Sequence, residues 1–180
     1  MKIYLLEKDV DNFRSCFIKE TKLSEDDLDN FSSGEPLDFN EGCITFRLDE
    51  EKGLKTGDVF TCWDFVGFLI NERTSELFSK NEKINAQFVK FQDDIILFNN
   101  LEIVDALDEE KTEYEYFEGD IIDVEKYVFK KMEYPPLFQL KLPNGYVPLY
   151  YFVTDEFIKI VNDNNLKGFL FKEVWDSGNQ

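Results

Sequence analysis

The sequence contains no histidine. That absence removes Ser-His-Asp and Cys-His nucleophilic arrangements, and every histidine-based metal site. Cysteine is scarce as well. Cys16, Cys43 and Cys62 form an odd, widely spaced set without a CxxC pair, so no zinc ribbon or disulfide framework is expected. Free thiols suit a reducing compartment, which points to the cytoplasm. Long apolar runs are missing too. The longest, such as Phe65 to Ile70, falls far short of the ~20 residues that span a bilayer. The start, Met1 to Asp9, has too short an apolar run for a signal peptide and reads as a first β-strand. There is no GxGxxG and no P-loop, so nucleotide phosphates have no obvious cradle. No EF-hand pattern occurs between Asp105 and Glu118, so no structural calcium site is expected. The expectation is a non-enzymatic protein with no catalytic residue, no cofactor and no metal ligand.

Basic residues are in deficit. The chain has 20 Lys plus Arg against 38 Asp plus Glu, a net charge of −18. Such a field repels nucleic acid and anionic membrane, and it attracts basic proteins. The deficit is local. Residues 20–51 carry −9 and residues 105–125 carry another −9, while the remaining three stretches cancel. Acidity needed only for solubility would not require that segregation.

Apolar material is plentiful, with 43% hydrophobic residues and 19 Phe among 180. A chain of this length forms one domain and buries roughly 70% of its unfolded surface. Residues 1–180 are therefore read as a single domain, with a β-rich N-terminal part over 1–56. Strands are expected at Ile3–Leu6, Ile44–Leu48, Ile95–Phe98, Tyr127–Lys130, Leu137–Leu142 and Tyr146–Phe152, with a hairpin turn at Pro143-Asn144-Gly145. A short helix is expected over Leu23 to Phe31, and a frayed tail over Asp176 to Gln180.

Two segments resemble each other: Leu69 to Lys90 and Phe152 to Lys172. Each reads as a strand, an N-cap (Asn71 or Thr154), a short helix and a second strand. Asn and Thr oxygens accept from free N–H groups of a first helical turn. Glu72, Asp155 and Glu156 then sit where the helix dipole favours negative charge. In the second strands, Phe88 and Leu170 are expected to face the same way. The fold class is α+β: mostly antiparallel sheets, two or three short helices, and two similar strand–helix–strand units.

The run Asp105 to Glu118 mixes carboxylates with tyrosine. Protein interfaces favour Tyr at the centre and charge at the rim. The candidate partner-binding residues are Asp105, Asp108, Glu109, Glu110, Glu113, Tyr114, Glu115, Tyr116 and Glu118. The alternative is a solvated loop whose aromatics pack back onto a sheet.

The segment Leu-Glu-Ile-Val-Asp-Ala-Leu-Asp-Glu-Glu-Lys-Thr-Glu-Tyr, from Leu101 to Tyr114, resembles the central signature of the eleventh catalogued immunity-protein family of bacterial polymorphic toxin systems. Phe68 to Arg73 is similar to that family's upstream strand–helix unit, and Phe152 to Glu156 to its C-terminal one. The resemblance covers roughly residues 57–175. It implies a small cytoplasmic protein that binds a toxin encoded beside it and blocks the toxin in the producing cell. A basic toxin would be drawn in by the acidic field. Two other readings stay open: an acidic mimic of nucleic acid, and a carboxylate-dependent enzyme acting on sugars.

Overall fold

The computed structural model describes residues 1–24, 34–39, 41–50, 53–64 and 67–178. The helix expected over Leu23 to Phe31 falls mostly outside them. The chain is α+β, as its pattern indicates. Its strands are β1 (Lys2–Lys8), β2 (Cys16–Thr21), β3 (Ile44–Leu48), β4 (Val59–Phe60), β5 (Phe68–Ile70), β6 (Ala86–Gln92), β7 (Ile95–Asn100), β8 (Ile103–Val104), β9 (Glu113–Phe117), β10 (Asp120–Lys126), β11 (Leu137–Leu140), β12 (Tyr151–Thr154) and β13 (Phe169–Asp176). Its helices are α1 (Glu72–Ser79) and α2 (Asp155–Asp163).

The two strand–helix–strand units are built alike, and the likeness extends further than the sequence repeat. One sheet has the order β4-β5-β7-β6, the other β13-β1-β12-β11-β8. In the first, β7 lies between β5 and β6, antiparallel to both. In the second, β1 lies between β12 and β13, again antiparallel to both. The flanking hairpins correspond in register. Val59 pairs with Ile70 as Leu137 pairs with Val153. The Asn71 amide donates to the Asp58 carbonyl at 3.2 Å, and the Thr154 amide donates to the Pro136 carbonyl at 3.1 Å. Thus β4-β5-α1-β6-β7 matches β11-β12-α2-β13-β1, and the N-terminal strand completes the second copy.

Side chains alternate across these strands, so each sheet buries both faces. Phe68, Ile70, Ile96 and Phe98 join Leu6, Leu137, Tyr151 and Val153 in a shared central core. Both helices contribute to it through Phe78, Phe157 and Val161, and the Phe78 and Phe157 rings lie 5.4 Å apart. The opposite face of the first sheet, with Leu69, Leu97 and Phe91, packs on β2 and β3 through Cys16, Ile44 and Phe46. The opposite face of the second sheet, with Ile3, Phe138, Phe152 and Trp175, packs on Leu107 and Phe129.

Asp58 joins the two copies. Its Oδ1 accepts from Asn71 Nδ2 at 2.9 Å, and its Oδ2 accepts from the Lys167 amide at 2.7 Å. Its amide also donates to the Lys167 carbonyl at 2.9 Å.

Several local expectations need correction. Asn71 caps α1 by accepting from the Thr74 amide at 2.9 Å, but the Thr154 side chain makes no cap bond. Thr154 ends a buried strand, and the carboxylate of the next residue, Asp155, is turned to the Tyr4 hydroxyl at 3.0 Å. Leu170 faces outward at 43% exposure, while Phe169 and Phe171 reach the central core. A one-residue offset exchanges the faces of a strand; the structural equivalent of Phe88 is Phe171, since these residues pair with Phe98 and Leu6. Tyr127 to Lys130 forms an isolated bridge, Leu107 with Phe129, instead of a strand. Residues 146–150 are irregular, because Pro148 has no N–H for a ladder. The tail is tied down at Ser177, whose amide donates to the Met1 carbonyl at 3.0 Å. Residues 179–180 lie outside the described set. Among the described residues no helix is long and apolar enough to cross a membrane.

Candidate functional site

The second acidic segment folds as a hairpin. Among the described residues β9 and β10 pair only with each other. Glu118 and Gly119 make the turn with φ of 51° and 96°. Positive φ at both central residues fits a two-residue hairpin whose twist matches its strands. Glycine adopts that region freely, whereas Glu118 carries some strain.

The strand register sorts the side chains. Tyr114 opposes Val124, and Tyr116 opposes Ile121. On this inner face Val124 is buried, and Tyr114 and Ile121 pack on the core below the second sheet. On the outer face Phe117 opposes Asp120, Glu115 opposes Asp123, and Glu113 opposes Lys126. The last pair is an ion pair at 2.7 Å. Glu115 and Asp123 are like charges directly opposed, which costs stability in a ladder. Near the tip, Tyr116 and Phe117 are 59% and 63% exposed. Ile122 sits at a register shift and is also exposed.

A connection between β11 and β12 runs beside β10. It turns at Pro143-Asn144-Gly145, where the Gly145 amide donates to the Leu142 carbonyl at 2.8 Å and Gly145 has a φ of 86°. Asn144 Nδ2 donates to the Ile121 carbonyl at 3.0 Å, which fixes the connection against the hairpin. Tyr146, Leu149 and Tyr150 are thereby left exposed next to it. The Tyr150 hydroxyl faces Asp123 Oδ2 at 3.5 Å, and Asp123 Oδ1 accepts from the Val124 amide at 2.8 Å. Partial burial raises the Tyr150 hydroxyl above its ordinary pKa, and the Asp123 charge adds to the rise. Burial does the same to Tyr127, again with Asp123 contributing.

The predicted residues divide by position. Asp105 and Asp108 lie at the base. Asp105 pairs with Lys130 at 2.8 Å. Asp108 builds the turn before β9: its carbonyl accepts from the Thr112 amide at 2.9 Å and its amide donates to the Val128 carbonyl at 2.8 Å. Its carboxylate holds Lys111 at 2.6 Å, and that bond keeps the Asp108 carboxyl below its ordinary pKa. Glu109 and Glu110 are exposed in the same turn. Glu113 and Glu115 lie on the outer face, Tyr114 and Tyr116 on the inner one, and Glu118 in the tip. Phe117, Asp120, Ile122, Asp123, Tyr146 and Tyr150 are additions that sequence reading missed. The signal for the hairpin was present: a Glu-Tyr-Glu-Tyr alternation, then Glu-Gly, then a second apolar run.

Below the hairpin, a cleft of about 890 Å³ is lined by Lys111, Lys126, Tyr127, Val128 and Glu173 to Asp176. Its charges are mixed and largely paired: Lys126 with Glu113, and Glu173 with Lys2 at 2.6 Å. Among the described residues no three Cys, Asp or Glu side chains gather as metal ligands would. No family model matches this chain, and no curated protein matches it.

Proposed function

We propose that this chain is a neutralising binding protein, an immunity protein that holds a secreted bacterial toxin inactive in the cell that makes it. The observation that carries the reading is the hairpin. It sets unpaired carboxylates among exposed aromatic side chains on a sheet that no other strand covers among the described residues. Large exposed apolar groups rimmed by charge mark protein interaction surfaces. The family-like segment Leu101 to Tyr114 runs directly into this hairpin. The partner expected from the charge is a basic protein, and attraction at long range would speed its capture.

Mimicry of nucleic acid fits less well. A mimic needs rows of free charge. Here Asp105, Asp108 and Glu113 are each paired with a lysine, and aromatics interrupt the remainder. The test is co-expression with the product of the adjacent gene. Rescue of growth with co-purification supports the proposal; failure of both removes it.

A further inference from the structure

We infer that the outer face of the β9–β10 hairpin, together with Tyr146 and Tyr150, is the docking surface for a basic protein segment, with Glu115 and Asp123 receiving one of its Lys or Arg side chains. This rests on the neutralising reading above and adds the place and chemistry of contact.

Four observations converge. Six of the eleven large hydrophobic side chains exposed among the described residues are Phe117 on the outer face, Tyr116 at the exposed tip end of the inner face, and Ile122, Tyr146, Leu149 and Tyr150. All belong to the hairpin or to the connection bonded to its β10 strand. Second, Glu115 and Asp123 face each other across the ladder with no ion pair to either among the described residues. Cross-strand Cβ atoms lie about 5 Å apart, so one guanidinium or ammonium can bridge both carboxylates. A cation there removes a repulsion that the folded chain otherwise carries. Third, the exposed phenol of Tyr150 adjoins Asp123. Carboxylate beside an aromatic face suits a basic side chain, through charge and cation–π attraction together. Fourth, the charge selects the occupant. A second copy would bring the same carboxylates against this face, and nucleic acid would bring phosphates. Both are repelled, and a basic protein segment is attracted.

The experiment measures binding of the full chain to the product of the adjacent gene at two salt concentrations. Three forms are compared: wild type, the pair variant Glu115→Gln with Asp123→Asn, and a control, Glu76→Gln with Asp93→Asn. The control carboxylates are exposed and lie on the other copy. The pair variant is expected to bind about tenfold or more weakly, with a flatter salt dependence, and the control to match wild type. The amides preserve shape, and Asn keeps the acceptor for the Val124 amide; a urea midpoint no lower than that of the wild type checks the fold. Phe117→Ala provides a second, uncharged probe of the face and is expected to weaken binding as well. If the pair variant and Phe117→Ala bind as wild type does, the docking surface lies elsewhere, and the neutralising reading survives. If the wild type does not bind, the neutralising reading falls and takes this surface with it.

Discussion

Replacing Asp58 should unlock the two copies from each other. The carboxylate is almost fully enclosed, with a side-chain exposure of 10%. It accepts from Asn71 Nδ2 at 2.9 Å and from the Lys167 amide at 2.7 Å. Arg73 Nη1 approaches at 3.4 Å, but that side chain is 60% exposed and contributes little. Asp58→Ala therefore orphans two partly buried donors. Each costs about 1–3 kcal/mol, and relief of the carboxylate's own desolvation offsets part of the sum. The net loss is about 3 kcal/mol, or roughly 6–12 °C in Tm for a chain of this length. Asp58→Asn sharpens the test. Its amide keeps one acceptor but turns an N–H₂ toward a donor at the other position, so it should lose about 2 kcal/mol despite its equal size. Urea unfolding followed by circular dichroism reads both values, with the m-value expected unchanged. Losses below ~0.5 kcal/mol for both variants would refute the role assigned to this side chain.

Three further outcomes follow from the same architecture. Lys8 is half-buried, with its ammonium donating to the Gly67 carbonyl at 2.9 Å and lying over the Phe68 ring at 5.5 Å; burial lowers its pKa to about 8. The unfolded chain then holds this proton more tightly between about pH 8 and 10.5, so Lys8 should add roughly 2 kcal/mol of stability as pH rises across that window, against the opposite trend from the buried Cys16 and Cys43 thiols, whose pKa is raised by a Cys62 hydrogen bond and burial in the first and by burial in the second; the difference between the wild-type and Lys8→Met pH profiles reads this contribution, and equal profiles would refute it. Joining Gly178 to Met1 through a short linker and opening the chain between Glu118 and Gly119 should give a permutant that folds, since Met1 and Ser177 are already hydrogen-bonded; deleting residues 1–8 removes the middle strand of the second copy and should leave no cooperative thermal transition.

Sequence legibility followed the range of the interactions involved. The strand–helix–strand units showed themselves because a helix start and an apolar face are local signals, carried by Asn71, Glu72 and Phe78 in one copy and by Asp155, Phe157 and Val161 in the other. The middle strands were invisible as such. β1 and β7 read as strands, at Ile3–Leu6 and Ile95–Phe98, but only long-range pairing shows that they occupy equivalent places. The error at Leu170 has the same origin. Apolar residues occupy positions 169, 170 and 171, and it is the pairing of Leu6 with Phe171 that decides which ones turn inward. The candidate site was half legible. Acid and tyrosine from 105 to 118 stood out by composition, but with no strand assigned there the run stood apart from Asp120, Asp123 and the connection carrying Tyr150.

The duplicated body also explains how a strained and repulsive hairpin can persist. Both faces of each large sheet are filled, and stability resides mainly in the phenylalanine-rich cores on either side of them. The hairpin touches that body through few side chains, chiefly Tyr114, Ile121 and Val124. A Glu in a left-handed turn and two opposed carboxylates each cost on the order of 1 kcal/mol, an expense the rest of the fold can absorb. An uncovered β-strand edge invites pairing with other chains. Carboxylates on such a strand discourage joining to a second copy while leaving a basic partner attracted. The same residues thus serve solubility and selection. Replacing Glu115 by a neutral residue should accordingly stabilise the free chain slightly and weaken its complex. A purely solubilising role would leave the complex unchanged, so the two measurements together separate the roles.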